Sequence, residues 1–198
     1  VIQAPAPSNQ DLVTAAIGAS ATRAVAIYAA ETGTSTPAVA IGTYIPKSRI
    51  VVTAAQDALP KEALIKFTNG VHLAASLSRE GKGIAIYGFA NAAELPKMSS
   101  PALVAMGDLK LGETALALSA DGSAATGIVA RVSEKGIATT LPDIGTGSAV
   151  VDLVGNLIGI SAGAAPGLLI STNVITALLT TTPTTATPTT ATSTTATK

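Results

Sequence analysis

A chain of 198 residues with 12 basic and 12 acidic side chains has no net charge and no basic run, which excludes the electrostatic footprint of a nucleic-acid binder. It holds no cysteine, so disulfides, thiolate metal sites and a thiol nucleophile are excluded together. Hydrophobic residues make up 47% but aromatics only 3%, so the core is expected to be built from Ala, Val, Ile and Leu.

Residues 1 to 10, VIQAPAPSNQ, are rich in Pro and Ala without periodicity and read as an extended arm. Their start at Val1 reads as a processed chain or a fragment of a longer one. Asp11 then reads as the N-cap of a short helical turn in DLVTAAIGAS. The runs TRAVAIYAAE, PAVAIGTYIP, RIVVTAAQ, ALIKFTNG, VHLAASLSRE and GIAIYGF follow, separated by turn signals such as TGTST, IPKSR and REGKG. Short β-rich runs with breakers every 8 to 12 residues predict an all-β sandwich or barrel.

After NAAELPKMSSP comes a second series: ALVAM, TALALSA, ATGIVARVSE, GIATTL, GSAVVDL, NLIGISAG and GLLIST. ADGS and LVGN carry the glycine that tight hairpin turns need. NVITALL predicts a short closing helix. The expectation is two antiparallel β-barrels of about six strands each over residues 11–179, with a C-terminal helix.

Residues 180–198 form a linker or stalk in which TTPTT, ATPTT, ATSTT and ATK repeat with a five-residue period. Such a tract has no large apolar groups to offset its ordering entropy. It predicts an extended Thr/Pro-rich spacer, with Thr181, Thr182, Thr184, Thr185, Thr187, Thr189 and Thr190 as candidate O-glycosylation positions. No run of about 18 apolar residues occurs, so no membrane span is expected in this chain.

In order, VAIGTYIPKSRIVVTAAQ, LKLGETALALSADGSAATGIVARVSEKG, IGTGSAVVDLVGNLIGISAG and GLLISTNVITALL resemble the trypsin-like serine proteases, particularly the bacterial HtrA/Deg type. The resemblance runs from about Asp11 to Leu179 and implies the two-barrel trypsin-like fold. In that family a VTAAH strand end carries the catalytic histidine, a DIA(V/L)L strand the aspartate, and GNSGGP the serine. Those places hold Gln56, Gly83 and Thr146 here, and the family's oxyanion glycine is replaced by Ile144.

A hydroxyl is a weak nucleophile until a neighbouring base takes its proton. Gln56 has no titratable nitrogen, Gly83 cannot orient a cation, and a β-branched Ile144 disfavours the oxyanion turn. A catalytically degenerate member of the family is the expectation. His72, the only histidine, alternates with Val71 and Leu73 on a strand and reads as a surface or structural residue. Ser148 is a displaced nucleophile only if a loop residue pair is deleted, and its nearest lysine, Lys135, lies in an exposed SEKG turn. Asp108, Glu113, Asp121, Asp143 and Asp152 are scattered singly, so no metal site is expected. GKGIAIYG matches no phosphate-binding loop, so no cofactor is expected either.

Three functions remain open. One is a structural or adhesive extracellular module on a bacterial surface, assembling with copies of itself or with other surface proteins, and sparse charge with mean hydropathy +0.49 suits it. Strand addition at an exposed sheet edge is one route to such assembly. Another is a peptide-binding pseudoprotease with a chaperone-like or regulatory role, its cleft formed by Thr146, Ser148, Ser161, Ala162 and Gly163. The last is a serine hydrolase with relocated catalytic residues.

Overall fold

A computed structural model of the chain describes residues 8–118 and 122–180. Residues 1–7 of the arm, part of the ADGS turn and the whole Thr/Pro tract with its candidate glycosylation threonines lie outside the described residues.

Twelve strands form two closed antiparallel barrels. Barrel 1 contains β1 (Ala24–Ala29), β2 (Ala40–Ile45), β3 (Ile50–Ala54), β4 (Glu62–Phe67), β5 (His72–Gly81) and β6 (Ile84–Phe89). Its order is β1-β2-β3-β6-β5-β4, closed by β4 pairing back on β1 with Leu64 opposite Tyr28. Barrel 2 contains β7 (Thr114–Leu118), β8 (Ala124–Ser133), β9 (Gly136–Thr139), β10 (Ala149–Val151), β11 (Leu157–Ser161) and β12 (Leu168–Ser171). Its order is β10-β11-β12-β9-β8-β7, closed by β10 on β7 with Val150 opposite Ala117. Counted from each barrel's first strand, both read 1-2-3-6-5-4, so one topology occurs twice. Closure removes the sheet edges, so strand addition has no open edge to use in either barrel.

The ten-residue strands β5 and β8 each slip register once, at Leu77/Arg79 and at Val129/Arg131. An extra residue there bends a long strand sharply enough for the barrel to close.

Alternation explains the one-sided strands. In β5, Leu73 and Ala75 point inward while His72, Ala74 and Ser76 face water. β3 breaks the pattern because all five of its residues are buried, and β11 does the same. One face of each lines its own barrel and the other faces the seam between barrels, so both read as continuous apolar runs. At the seam, Val52, Ala54, Ile84 and Ile86 of barrel 1 join Leu116, Val151, Leu157 and Ile160 of barrel 2 in a single cluster. Each Val, Leu or Ile among them contributes roughly 1.5–3 kcal/mol on burial.

Both helices reinforce the seam. α1 (Asn9–Ala21) is longer than the short turn expected, and Ser8, not Asp11, is its N-cap. Ser8 Oγ accepts from the Asp11 amide (3.2 Å), while Asp11 Oδ2 accepts from the Ser8 amide (2.9 Å). This reciprocal pair satisfies two donors at once, which is why the helix starts three residues early. Ala16 of α1 enters the seam cluster, with Val13 and Ile17 packed against it. Just after the helix, buried Arg23 donates to Ser20 Oγ (2.6 Å) and to the Gly155 carbonyl (2.9 Å) in the β10–β11 turn. The start of barrel 1 is thereby tied to barrel 2. At the other end, α2 (Thr172–Thr180) leaves β12 and buries Ile175 in the same cluster, and Arg79 of β5 donates to the Leu178 carbonyl.

ALVAM is not the strand its composition suggests. β12 pairs with β11 only as far as Gly159, leaving the flank of Leu157 open. The chain fills that gap with two bonds, Leu157 N to Ala102 O (2.8 Å) and Val104 N to Leu157 O (2.9 Å), then turns into a 3₁₀ helix at Met106–Asp108.

The side-chain and backbone hydrogen bonds from Ser8 lower the pKa of Asp11 below its ordinary 3.8. A depressed carboxylate contributes stability above its unfolded pKa and loses it as pH falls through the folded one. Asp11→Asn should therefore lower the thermal midpoint at about pH 7, and the difference from wild type should vanish at about pH 2. A gap that persists in acid would rule out the charged cap.

Candidate functional site

β3 ends where its neighbour β6 begins. Ala54 pairs with Ile84, and the next amide, Ala55, donates to the Gly83 carbonyl (2.7 Å). Gln56 follows, half-buried, its carbonyl accepting from Leu59 (3.2 Å). Gln56 and Gly83 thus occupy one end of the same strand pair. Gly83 faces barrel 2, since a Cβ there would stand 3.2 Å from Ile170 Cδ1.

Thr146 lies in barrel 2, on the loop leading into β10. The loop is held from within. Asp143 Oδ1 accepts from the Gly145 amide (3.1 Å), and the Ser148 amide donates to the Gly145 carbonyl (3.3 Å). The Gly147 amide donates to the Ser161 carbonyl (3.0 Å), and Ser161 returns a bond to the Ser148 carbonyl (2.8 Å).

Gly147 is the point where the barrels touch. It has φ +87, and a Cβ there would collide with the Ile41 carbonyl and stand 2.6 Å from Thr53 Oγ1, which itself donates to Ile41 O (2.6 Å). Only glycine fits that approach. Thr53 is three residues before Gln56 on the strand that Gly147 touches.

Gln56, Gly83 and Thr146 offer no base at neutral pH. The Thr146 side chain lies on Gly163, where a Cβ would stand 2.8 Å from Thr146 Cβ. Ile144 is packed against the core of barrel 2, and its carbonyl accepts from Ser148 Oγ (2.5 Å). The amides of Gly145, Gly147 and Ser148 are bonded within the protein.

The candidate cleft residues divide by exposure. Ser148 is 1% and Ser161 5% exposed, so both hydroxyls are inside. Thr146 and Ala162 are half-buried and Gly163 is exposed. Beside the loop, a hollow of about 450 Å³ runs between Asp143–Gly145 and Ala117, Ala124 and Ala125 of the β7–β8 hairpin. His72 stands exposed at the start of β5, opposite Lys66, roughly 30 Å of strand from the Gly81 end. Lys135 is exposed in the β8–β9 turn. Among the described residues no three carboxylates or histidines come together to hold a metal.

Sequence reasoning missed Thr53 and Gly147 as the inter-barrel contact. The signal was a glycine between two polar residues just ahead of a strand, which marks close backbone approach.

Two closed six-stranded antiparallel barrels with a short C-terminal helix are consistent with the trypsin-like fold. No protein-family model matches the chain, and no curated protein matches it.

The contact between Thr146 and Gly163 is testable by coupling. Gly163→Ala adds a methyl both to a φ of +69 and against Thr146, and should destabilise the fold by about 3 kcal/mol. Thr146→Ala in that background should restore a measurable part of the loss in a denaturant double-mutant cycle. Strict additivity would mean the two residues do not touch.

Proposed function

We propose that this chain is a catalytically inert relative of the trypsin-like proteases that serves as a structural or adhesive module on a bacterial surface, assembled with copies of itself into a filament or surface layer. One observation supports the loss of catalysis: the positions that the resemblance assigns to the proton relay hold Gln56, Gly83 and Thr146. Removing the base alone costs several orders of magnitude in rate, and removing every partner leaves only binding and an oxyanion hole. The β-branched Ile144, where the resemblance expects a glycine, disfavours the oxyanion turn as well.

The surface favours association over solvation. Charge is sparse and balanced. Leu111 is 70% and Val154 80% exposed, each at a turn of barrel 2. With both barrels closed, contacts between copies are made by side chains such as these or by the chain ends, which lie outside the described residues. The Thr/Pro/Ala repeat supports an extended spacer, and glycans on its threonines would keep it extended.

Purified chain should neither label with a fluorophosphonate nor cleave casein, and should form concentration-dependent assemblies visible by negative stain. Leu111→Lys and Val154→Lys should shrink those assemblies without lowering the thermal midpoint. Casein cleavage abolished by Thr146→Ala or Ser148→Ala would end the inert reading. A monomer at every concentration tested would end the assembly reading.

A further inference from the structure

Barrel 1 buries two tyrosines almost completely, and they are not equivalent. The Tyr87 hydroxyl donates to the Pro60 carbonyl (2.7 Å). The Tyr44 ring is fixed in the core by edge-on contacts with Phe67 and Phe89, at 5.3 and 6.0 Å between centroids. Tyr44 is only 2% exposed, and it lines a hollow of about 360 Å³. Its hydroxyl makes no hydrogen bond to another described residue, and it is not sealed in the core, since no buried polar side-chain atom among the described residues lacks a partner. The ring is anchored inside and its polar tip is free to meet a group that enters the hollow.

The hollow lies between the β2–β3 turn and the segment 93–98. Arg49 and Lys97 stand on its rim, Leu95 and Met98 provide apolar lining, and no Asp or Glu is among its described lining residues. The backbone of the same turn is held by the Lys47 amide, which donates to Ser100 Oγ (3.3 Å). No basic run in the sequence announces this cluster, because the fold assembles it from two segments about 50 positions apart.

Arg49 carries a second mark. It has φ +55 and closes the turn by donating its amide to the Pro46 carbonyl (3.1 Å). Glycine would hold that left-handed conformation about 1 kcal/mol more cheaply. A guanidinium kept there against its backbone preference points to a role for the side chain.

We propose that this hollow is a docking pocket for an acidic side chain of a partner protein segment. The carboxylate accepts from the Tyr44 hydroxyl and meets the Arg49 fork, Lys97 adds charge, and an apolar neighbour on the segment covers Leu95 and Met98. Burial raises the Tyr44 pKa, with Arg49 partly opposing it, so the phenol remains a donor at neutral pH. A sulfated sugar would satisfy the cations but leave the apolar lining uncovered. The pocket is at the far end of the β2–β3 hairpin from Thr53, roughly 13 Å along the strand, and it stands whether or not the seam is inert.

The test is a titration of isotope-labelled chain, followed by amide chemical shifts, with three probes: acetyl-Leu-Glu-Leu amide, its Leu-Gln-Leu counterpart and a sulfated disaccharide. The Glu peptide should saturate, with shifts confined to residues 44–49 and 93–98. Tyr44→Phe keeps the ring contacts and Arg49→Gly relieves the turn, so both variants should fold with undiminished thermal midpoints. Each should weaken binding about tenfold, as expected for one charge-assisted hydrogen bond. No saturable shift up to about 20 mM Glu peptide, a millimolar affinity being the weakest useful one, overturns the proposal. So does equal binding of the Gln peptide, binding untouched by both variants, or saturation by the sulfated disaccharide alone.

Discussion

The two barrels meet where a side chain is missing. Gly147 lies against the Ile41 carbonyl and the Thr53 hydroxyl, and no residue with a Cβ fits there without moving one barrel off the other. That contact sets the depth at which the seam cluster interlocks, from Val52 and Ile86 on one side to Leu116 and Ile160 on the other. The strap at Arg23 and the helix carrying Ile175 hold the same interface from the two chain ends of the domain. Packed interiors have little slack, so an ångström of displacement at Gly147 is felt throughout.

The same constraint shapes the chemistry. A loop that must pass Gly147 through the seam spends the amides of Gly145, Gly147 and Ser148 on fixing itself, and Ser148 spends its hydroxyl on the Ile144 carbonyl. In an active hydrolase of this architecture, several of these groups would instead face a reacting carbonyl. Here the loop's bonds run inward, and Thr146 packs on Gly163. The loop thereby joins the two barrels.

Much of this was legible in the sequence. The one-sided strands were readable because inward and outward residues alternate, as in Leu73 and Ala75 against His72 and Ala74. The two series of β-rich runs on either side of NAAELPKMSSP announced the two six-stranded barrels. Alternation failed where other forces decided. Ser8 overrode Asp11 as the cap because the Ser–Asp pair satisfies two donors reciprocally. ALVAM was apolar enough for a strand, but only a short flank beside Leu157 was open to it. The Tyr44 pocket was invisible because periodicity tells which way a residue points, not which distant lysine it points toward. Tyr44 and Lys97 belong to segments that nothing in the linear pattern connects.

The duplicated topology makes the two barrels comparable, and their contents differ. All five aromatic residues, Tyr28, Tyr44, Phe67, Tyr87 and Phe89, belong to barrel 1. Barrel 2 is packed by aliphatic side chains around close backbone approaches, as at Gly159, where a Cβ would stand 2.6 Å from the Ile170 carbonyl. Small residues let strands draw together, whereas rings prop them apart and fill the space. A barrel filled by rings also has a reach that an aliphatic one lacks: a tyrosine can anchor its ring in the core and still deliver a hydroxyl to the surface. Barrel 2 has no side chain that can do this. The division of labour follows from composition, with barrel 2 supplying the glycine contact that locks the seam and barrel 1 the polar tip that opens outward at its far end.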